Sequence, residues 1–416
     1  MPDPRPVVLG WDAVSPLGVE LGDQLRRARA GESGVGRLTR FAVGPDFPVE
    51  VAGQVPAFDP APYPFLSPRA MAHWTSPVFA HGLLVVHRAL RRAGIEITPD
   101  LAPRVAVTFS TAIGGLDAVL DATREMIAHG RLPMPFVNPN SCINMVGGKV
   151  AILTGATGPC ITSVTACASG ATSLILGAML LGAGSADVAL CGAVDFPILE
   201  PLVAGFATMN GAYKRKPGKV DEPPARASRP FSLDRRGFVV SEGAACLVLA
   251  TRDFARAHGL APRIEPAGWS MTCDAEHFVA PRRDTIARCM AEAIAHAGLR
   301  PGDVQAVNAH AASTKVGDQT EADALGDVFG ARVPPVSANK SQTGHAMGAS
   351  SALELVLAAE GMLAGVVLPT INHAPDPAIR LDCVPEGTRT LAQEHVLKNA
   401  FGFGGTNSCV VLRRVA

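Results

Sequence analysis

GPCITSVTACASGATSLILGAMLL, residues 158–181, and PPVSANKSQTGHAMGASSALELVLA, residues 334–358, decide the fold of this chain. Each reads as a short strand, a turn, and a helix whose first turns are built of small residues. Repetition of that scheme in the two halves is the mark of an internal duplication. The same alternation extends outward. RVAVTFST (104–111) precedes the helix-like LDAVLDATREMIAHG (116–130), ADVALCGAVDF (186–196) follows the first segment, and DVQAVNAH (303–310) precedes TEADALGDVF (320–329). Strands alternating with helices predict an α/β fold of two similar halves, with a mainly parallel sheet covered by helices on both faces. The boundary fits best in ATRDFARAHGLAPR, so residues 1–260 form one half and 261–416 the other.

The chain has 416 residues, 48% of them hydrophobic, which is enough for an extensive core and excludes a disordered chain. Lys plus Arg and Asp plus Glu number 37 each, so no global field draws the protein to nucleic acid or an acidic membrane. The opening MPDPRPVVLGWDAV lacks a basic segment followed by a sustained apolar one, and other apolar runs are interrupted early. A soluble cytoplasmic protein is expected. Nine scattered cysteines, with no C-x-x-C pair and no zinc-type spacing, disfavour a disulfide framework and a structural metal. Cys191 and Cys246 lie in apolar strand-like runs and read as core residues. The Pro-rich, basic stretch YKRKPGKVDEPPARASRP (213–230) reads as an exposed loop.

Four segments carry candidate chemistry. Cys167, in SVTACASGATSL, stands where a strand gives way to a helix. There the helix dipole and unpaired N–H groups favour thiolate, although a buried core thiol fits the same position. His310 leaves the carboxyl end of a strand-like run, a place for ligand chemistry in α/β folds and also for a plain surface histidine. His345 sits at a helix start between Gly344 and Gly348, where close backbone approach is expected. NAFGFGGTNSCVVL (399–412) puts a flexible, aromatic loop before a strand, suited to a pocket gate or to a simple turn; its glycines lack dinucleotide-binding spacing.

With these segments in hand, the chain resembles the β-ketoacyl synthases of the thiolase superfamily, in particular the elongating branch and its polyketide-synthase relatives. The likeness runs almost end to end: VSPLG (14–18), TACASG (165–170), RPFSLDRRGFVVSEGAACLVL (229–249), NAHAASTKVGDQTE (308–321), NKSQTGHAMGAS (339–350) and FGFGGTN (401–407). The resemblance implies an αβαβα layered fold and a homodimer, or a heterodimer with a related subunit. It implies substrates carried on the phosphopantetheine of an acyl carrier protein, with no permanently bound cofactor and no metal. Cys167 would accept the acyl group, and His310 and His345 would assist decarboxylation of a malonyl-type extender. The N–H groups of Cys167 and Phe403 would form the oxyanion hole. Lys340 and Glu321 would pair near the histidines, Phe403 would gate the site, and Ile113 would line the acyl pocket.

The chain also departs from that pattern. The family usually reads His-Gly-Thr-x-Thr at the first histidine, where this chain has Ala312, leaving Thr314 as the remaining pantetheine-contacting hydroxyl. Val279 and Ala280 replace a further Thr and Ser. The carrier-docking surface keeps Arg69, with Lys214, Arg215 and Lys216 as local basic residues. Competing readings are a ketosynthase-like acyltransferase to an amine or alcohol and a non-catalytic chain-length-factor-like subunit; Cys167 with both histidines argues against the latter.

Overall fold

The computed structural model describes residues 3–215, 222–385 and 387–415. Nine strands form the main sheet: β1 (Pro6–Val14), β2 (Val105–Val107), β3 (Val188–Asp195), β4 (Gly243–Thr251), β5 (Ile264–Cys273), β6 (Ala306–Asn308), β7 (Val336–Ser337), β8 (His395–Gly402) and β9 (Thr406–Arg414). The helices that cover it and build the site are α1 (Pro77–Ala93), α2 (Leu116–His129), α3 (Asn144–Thr154), α4 (Ser169–Gly182), α5 (Arg283–His296), α6 (Lys315–Phe329), α7 (Lys340–Thr343) and α8 (Met347–Ala364).

Strand order exposes the duplication. The sheet runs β2-β3-β4-β1-β5-β9-β8-β6-β7, and the two halves meet through a single residue pair, Val8 with Ile264. Outward from that seam, β4, β3 and β2 in the first half take the places of β9, β8 and β6 in the second, with the same directions. Cys160 bridges Val107 in parallel, standing where β7 stands beside β6. The sheet is therefore mixed rather than mainly parallel: five of its eight junctions are antiparallel. The turn at 403–405 between β8 and β9 is too short for the crossover that a parallel pair requires, and β4 holds the equivalent place in the first half.

Period-two alternation sorts the strand residues into layers. Ala189 and Cys191 of β3 face a central core with Leu174 and Ile175 of α4 and Leu353 and Val356 of α8. Val188 and Leu190, on the other face, pack with Phe79 and Leu83 of α1 and Val150 of α3. In the second half, Val396 joins the central core, while Leu397 packs with Ile286 and Met290 of α5 and Leu325 of α6. The result is αβαβα, with α4 and α8 as the middle layer. Those two helices cross closely at Gly170, where a Cβ would lie 2.6 Å from the Ala352 nitrogen. Any larger residue there would push the two helices of the middle layer apart. Helix α8 is long and apolar enough to cross a membrane, but most of it is buried between the two halves of the main sheet.

The 213–230 stretch is not uniformly exposed. Tyr213, Ala227, Ser228 and Arg229 are buried, because Ser228 Oγ donates to the Lys340 carbonyl (2.6 Å) and Arg229 is held by Glu222 and Asp234.

Candidate active site

The middle layer sets the site: α4 and α8 begin close together between the two halves of the sheet, and Cys167 precedes one start and His345 the other. Cys167 lies in a single 3-10 turn, Ala166–Ala168, just before α4. Ala166 has φ +48°, a left-handed conformation that costs a non-glycine residue about 1 kcal/mol or more. The turn is held by Ser169, whose hydroxyl donates to the Ala166 carbonyl (2.7 Å) and accepts from the Thr165 N–H (3.0 Å). At Gly402 a Cβ would sit 3.2 Å from the Cys167 nitrogen and would also collide with the Thr165 carbonyl, so only glycine lets β8 pass this close.

His345 precedes α8. Its backbone is clamped on both sides, N–H to the Val239 carbonyl (2.7 Å) and carbonyl from the Ser241 N–H (3.0 Å). Its Nε2 stands 3.1 Å from Cys167 Sγ, and its Nδ1 is 2.9 Å from Ser350 Oγ. Ser350 Oγ accepts the Ala346 N–H (2.7 Å); with its own hydrogen given to Nδ1, the imidazole proton lies on Nε2, facing the sulfur. His310 comes off the end of β6, and its ring centroid lies 5.6 Å from that of His345. The structure thus brings Cys167, His310 and His345 together.

Glu321 does not pair with Lys340. It accepts the N–H groups of His310 (2.9 Å) and Ala311 (2.7 Å) and the Asn399 amide (3.0 Å), fixing the chain as it leaves β6. The carboxylate partner of Lys340 is Glu354, at 2.6 Å, and the same ammonium donates to the His310 carbonyl at 2.6 Å. The reason is directional: Glu354 projects from α8 toward Lys340, whereas the Glu321 oxygens are occupied by backbone donors. A second lysine, Lys398 of β8, contacts the other Glu354 oxygen at 2.7 Å. All four of these charged residues are buried. Glu354 and Lys398 escaped the sequence reading. The signal available was a lone charge within each apolar run, ALELVLA and HVLKNAF.

Electrostatics corrects a second expectation. Burial pushes the Cys167 thiol up to about 11, against the opposing pull of the Lys340 charge and of the N–H groups of Phe403 and Cys167 itself. The thiol of the free protein is not pre-ionised, because burial outweighs Lys340 and those N–H groups. Burial, reinforced by Lys340, holds both histidines well below the ordinary histidine value, so both are neutral at physiological pH.

A cavity of about 770 Å³ opens onto Cys167, His310 and His345 and is also lined by Phe403, Thr314, Ala312, Val279 and Ala280. Lys214 reaches its rim, as do Arg236 and Lys315. Ile113 does not line this cavity. It belongs to an apolar cluster around Cys167 with Ile198, Phe206, Phe238 and Met347, its N–H held by Asp195 at 2.9 Å. Arg215 is turned away and paired with Glu50. Arg69 is exposed and is not among the cavity-lining residues. Lys216 lies outside the described residues.

The comparisons agree with this geometry. Residues 5–255 match the family described as the β-ketoacyl synthase N-terminal domain, and residues 265–374 match its C-terminal domain. The chain is 34% identical over 417 residues to the 3-oxoacyl-[acyl-carrier-protein] synthase 2 of Coxiella burnetii, covering 99% of each. Two solved structures cover all of this chain and are covered fully by it. One is a type II polyketide synthase acyl-carrier protein in complex with its ketosynthase (TM-score 0.89, 27% identity), the other the ishigamide ketosynthase/chain length factor (TM-score 0.90, 29% identity). With one family spanning both halves, and with its fold matched throughout, this chain belongs to the β-ketoacyl synthases.

Proposed function

We propose that the chain catalyses a decarboxylative Claisen condensation between an acyl group held on Cys167 and a malonyl-type extender on an acyl carrier protein, in fatty-acid-like or polyketide biosynthesis. The observation that carries this reading is Cys167 Sγ facing His345 Nε2 at 3.1 Å, with a second neutral imidazole, His310, beside it. Cys167 sulfur attacks the incoming thioester, and the oxyanion takes hydrogen bonds from the N–H groups of Cys167 and Phe403. The carrier thiol leaves with the cysteine proton. In the second stage the bond to the extender carboxylate breaks, carbon dioxide departs, and the enolate oxygen accepts hydrogen bonds from the two histidines. The enolate carbon then attacks the acyl-cysteine and expels Cys167. None of these steps calls for a metal or a redox group.

Lys340, Glu354 and Glu321 support the histidines, Phe403 gates the cavity, Thr314 meets the pantetheine arm, and the Ile113 cluster receives the acyl chain. Lys214 at the rim serves the carrier, with Arg69 and Arg215 as more distant basic residues and Lys216 two positions beyond Lys214 in sequence. We divide the chain functionally near residue 260, a nucleophile-bearing half followed by a histidine-bearing half. We also propose a cytoplasmic dimer, with itself or with a ketosynthase-like subunit. Ile127, Leu132, Met134 and Ile152 are largely exposed on the stretch leading to the sheet edge at Cys160, an apolar surface of the kind a partner covers.

A second reading, acyl transfer to an amine or alcohol, draws on the cavity wall, where Ala312, Val279 and Ala280 offer no side-chain hydroxyl. Loading the protein with a panel of acyl carrier donors and weighing it intact is expected to show a single acyl adduct, absent from Cys167→Ala. Cys167→Gln is expected to block acylation while keeping or raising malonyl decarboxylation. An acylated Cys167→Ala protein would overturn the assignment. Acylation without carbon dioxide release from any malonyl donor would favour the second reading.

A further inference from the structure

Behind the two histidines lies a buried charge cluster larger than a pair. Lys398, fully buried, stands 2.7 Å from Glu354 Oε2 as an ion pair and donates to the Ala309 carbonyl at 3.4 Å and to the Asn399 carbonyl. Burial works against its charge and the facing Glu354 carboxylate supports it; a neutral amine would aim a lone pair at one of these oxygens. Two cations, Lys340 and Lys398, therefore stand against two carboxylates, Glu354 and Glu321, in a region closed to water. Without Lys398 the count would be one cation to two anions, an imbalance that a low-dielectric interior does not screen.

The mechanism above leaves Lys398 without a task, yet its backbone neighbours are the site itself: it binds the carbonyl of Ala309, the residue before His310, and stands in β8, which ends one residue before Phe403. We propose that Lys398 is a positioning residue of the condensation site: its ammonium completes the neutral cluster with Lys340, Glu354 and Glu321 and holds His310 and His345 in their uncharged, hydrogen-bond-donating form. This rests on the condensing-enzyme reading and deepens it. A charged imidazole would bind the extender carboxylate as an ion pair and so stabilise the ground state that must decarboxylate. Lys340 and Lys398 both oppose that charge on each histidine. The other ionisable groups around the site are Asp318 of α6 and the thiols Cys383 and Cys409 near Glu321, and Asp195 on the far side of Cys167.

The test is carbon dioxide release from malonyl-pantetheine by the full-length protein, followed from about pH 5 to about pH 8, the range in which histidines titrate. Lys398→Gln keeps a donor for Glu354 and the Ala309 carbonyl but removes the charge, and Lys398→Met removes both; thermal unfolding reports whether each folds. The acid limb of the profile is expected to move to higher pH in both variants. The rate at the acid end of that range should fall by more than the plateau near pH 8, which is reduced about threefold or less. A purely structural lysine would lower the rate evenly with the acid limb in place, and that outcome overturns the proposal. If Lys398→Met does not fold, Lys398→Gln decides alone. No release from the wild-type protein would instead refute the condensing reading, and the Lys398 role with it.

Discussion

The starts of α4 and α8 are equivalent positions in a duplicated fold, and the chain uses them for opposite purposes. Both are strained in the same sense: Ala166, beside Cys167, has φ +48°, and Met347, just after His345, has φ +45°. Both lie at the seam of the middle layer, where α4 and α8 nearly touch. The first start offers a thiol within an apolar cluster that includes Ile113, Phe206 and Phe238. The second offers an imidazole backed by charge, and His310, Glu321, Lys340, Glu354 and Lys398 all belong to the second half of the chain. The strained residue comes one position before Cys167 and two after His345, so the two starts share a strained turn but not its register, and one is set in an apolar cluster, the other among charges. Burial pushes the thiol toward its neutral form, and the electrostatic help it receives comes from across the seam, from Lys340.

If that division holds, the largest effect should come from breaking the charge cluster. Glu354→Ala would leave two buried ammonium groups facing each other without their shared carboxylate, a change expected to cost about 3–5 kcal/mol of stability. Glu354→Gln should cost less, because the amide still accepts from Lys340. Chemical denaturation of both variants checks the order, and equal stability of Glu354→Ala and wild type would remove the cluster from the account. Next come the donors. His310→Ala and His345→Ala should each lower malonyl decarboxylation by about 10²–10³-fold, as loss of one preorganised donor typically does, with little change in unfolding temperature. Normal carbon dioxide release by both variants would sink their roles.

The thiol side of the comparison is sharpened by its reactivity with pH. Since the folded value of Cys167 is raised to about 11, the thiolate fraction should climb about tenfold per pH unit from neutrality and level off only near that value. Alkylation by iodoacetamide, scored at Cys167 by peptide mapping because the exposed Cys142, Cys160 and Cys273 react as well, measures this directly. A plateau near neutral pH would show that the helix start and Lys340 outweigh burial after all.

The duplication was legible in sequence because it is written twice in local terms, strand then turn then small-residue helix start. The three reactive residues were legible because their flanking motifs are short and contiguous. Strand direction was not read: the tight turn at 403–405 carries a local signal for β8 against β9, but the direction of β4 depends on where the chain re-enters the sheet, which no window of residues records. Nor was the Lys340–Glu354–Lys398 cluster. Its members are spread over nearly 60 positions, and each alone looks like a stray charge in an apolar segment. Glu321 was correctly placed beside the first histidine but given the wrong partner, since the choice between Glu321 and Glu354 rests on which oxygens the backbone N–H groups of His310 and Ala311 have already taken.

The smallest effect should separate the two histidines from each other. His345 has its Nδ1 against Ser350 Oγ, whereas among the described residues His310 Nδ1 is buried with no hydrogen-bond partner. Ser350→Ala would make His345 resemble His310 in this respect, removing one neutral hydrogen bond worth about 1 kcal/mol and freeing the imidazole proton to sit on either nitrogen. Decarboxylation is expected to fall by about fivefold, the rate equivalent of that energy, while the KM for a malonyl thioester stays near wild type, because the bond acts on the donor and not on substrate binding. A matching rise in KM would place Ser350 in binding instead. An unchanged rate would mean that the Val239 and Ser241 backbone clamps alone keep His345 aimed at the sulfur, and that the two histidines are anchored equally well by unequal means.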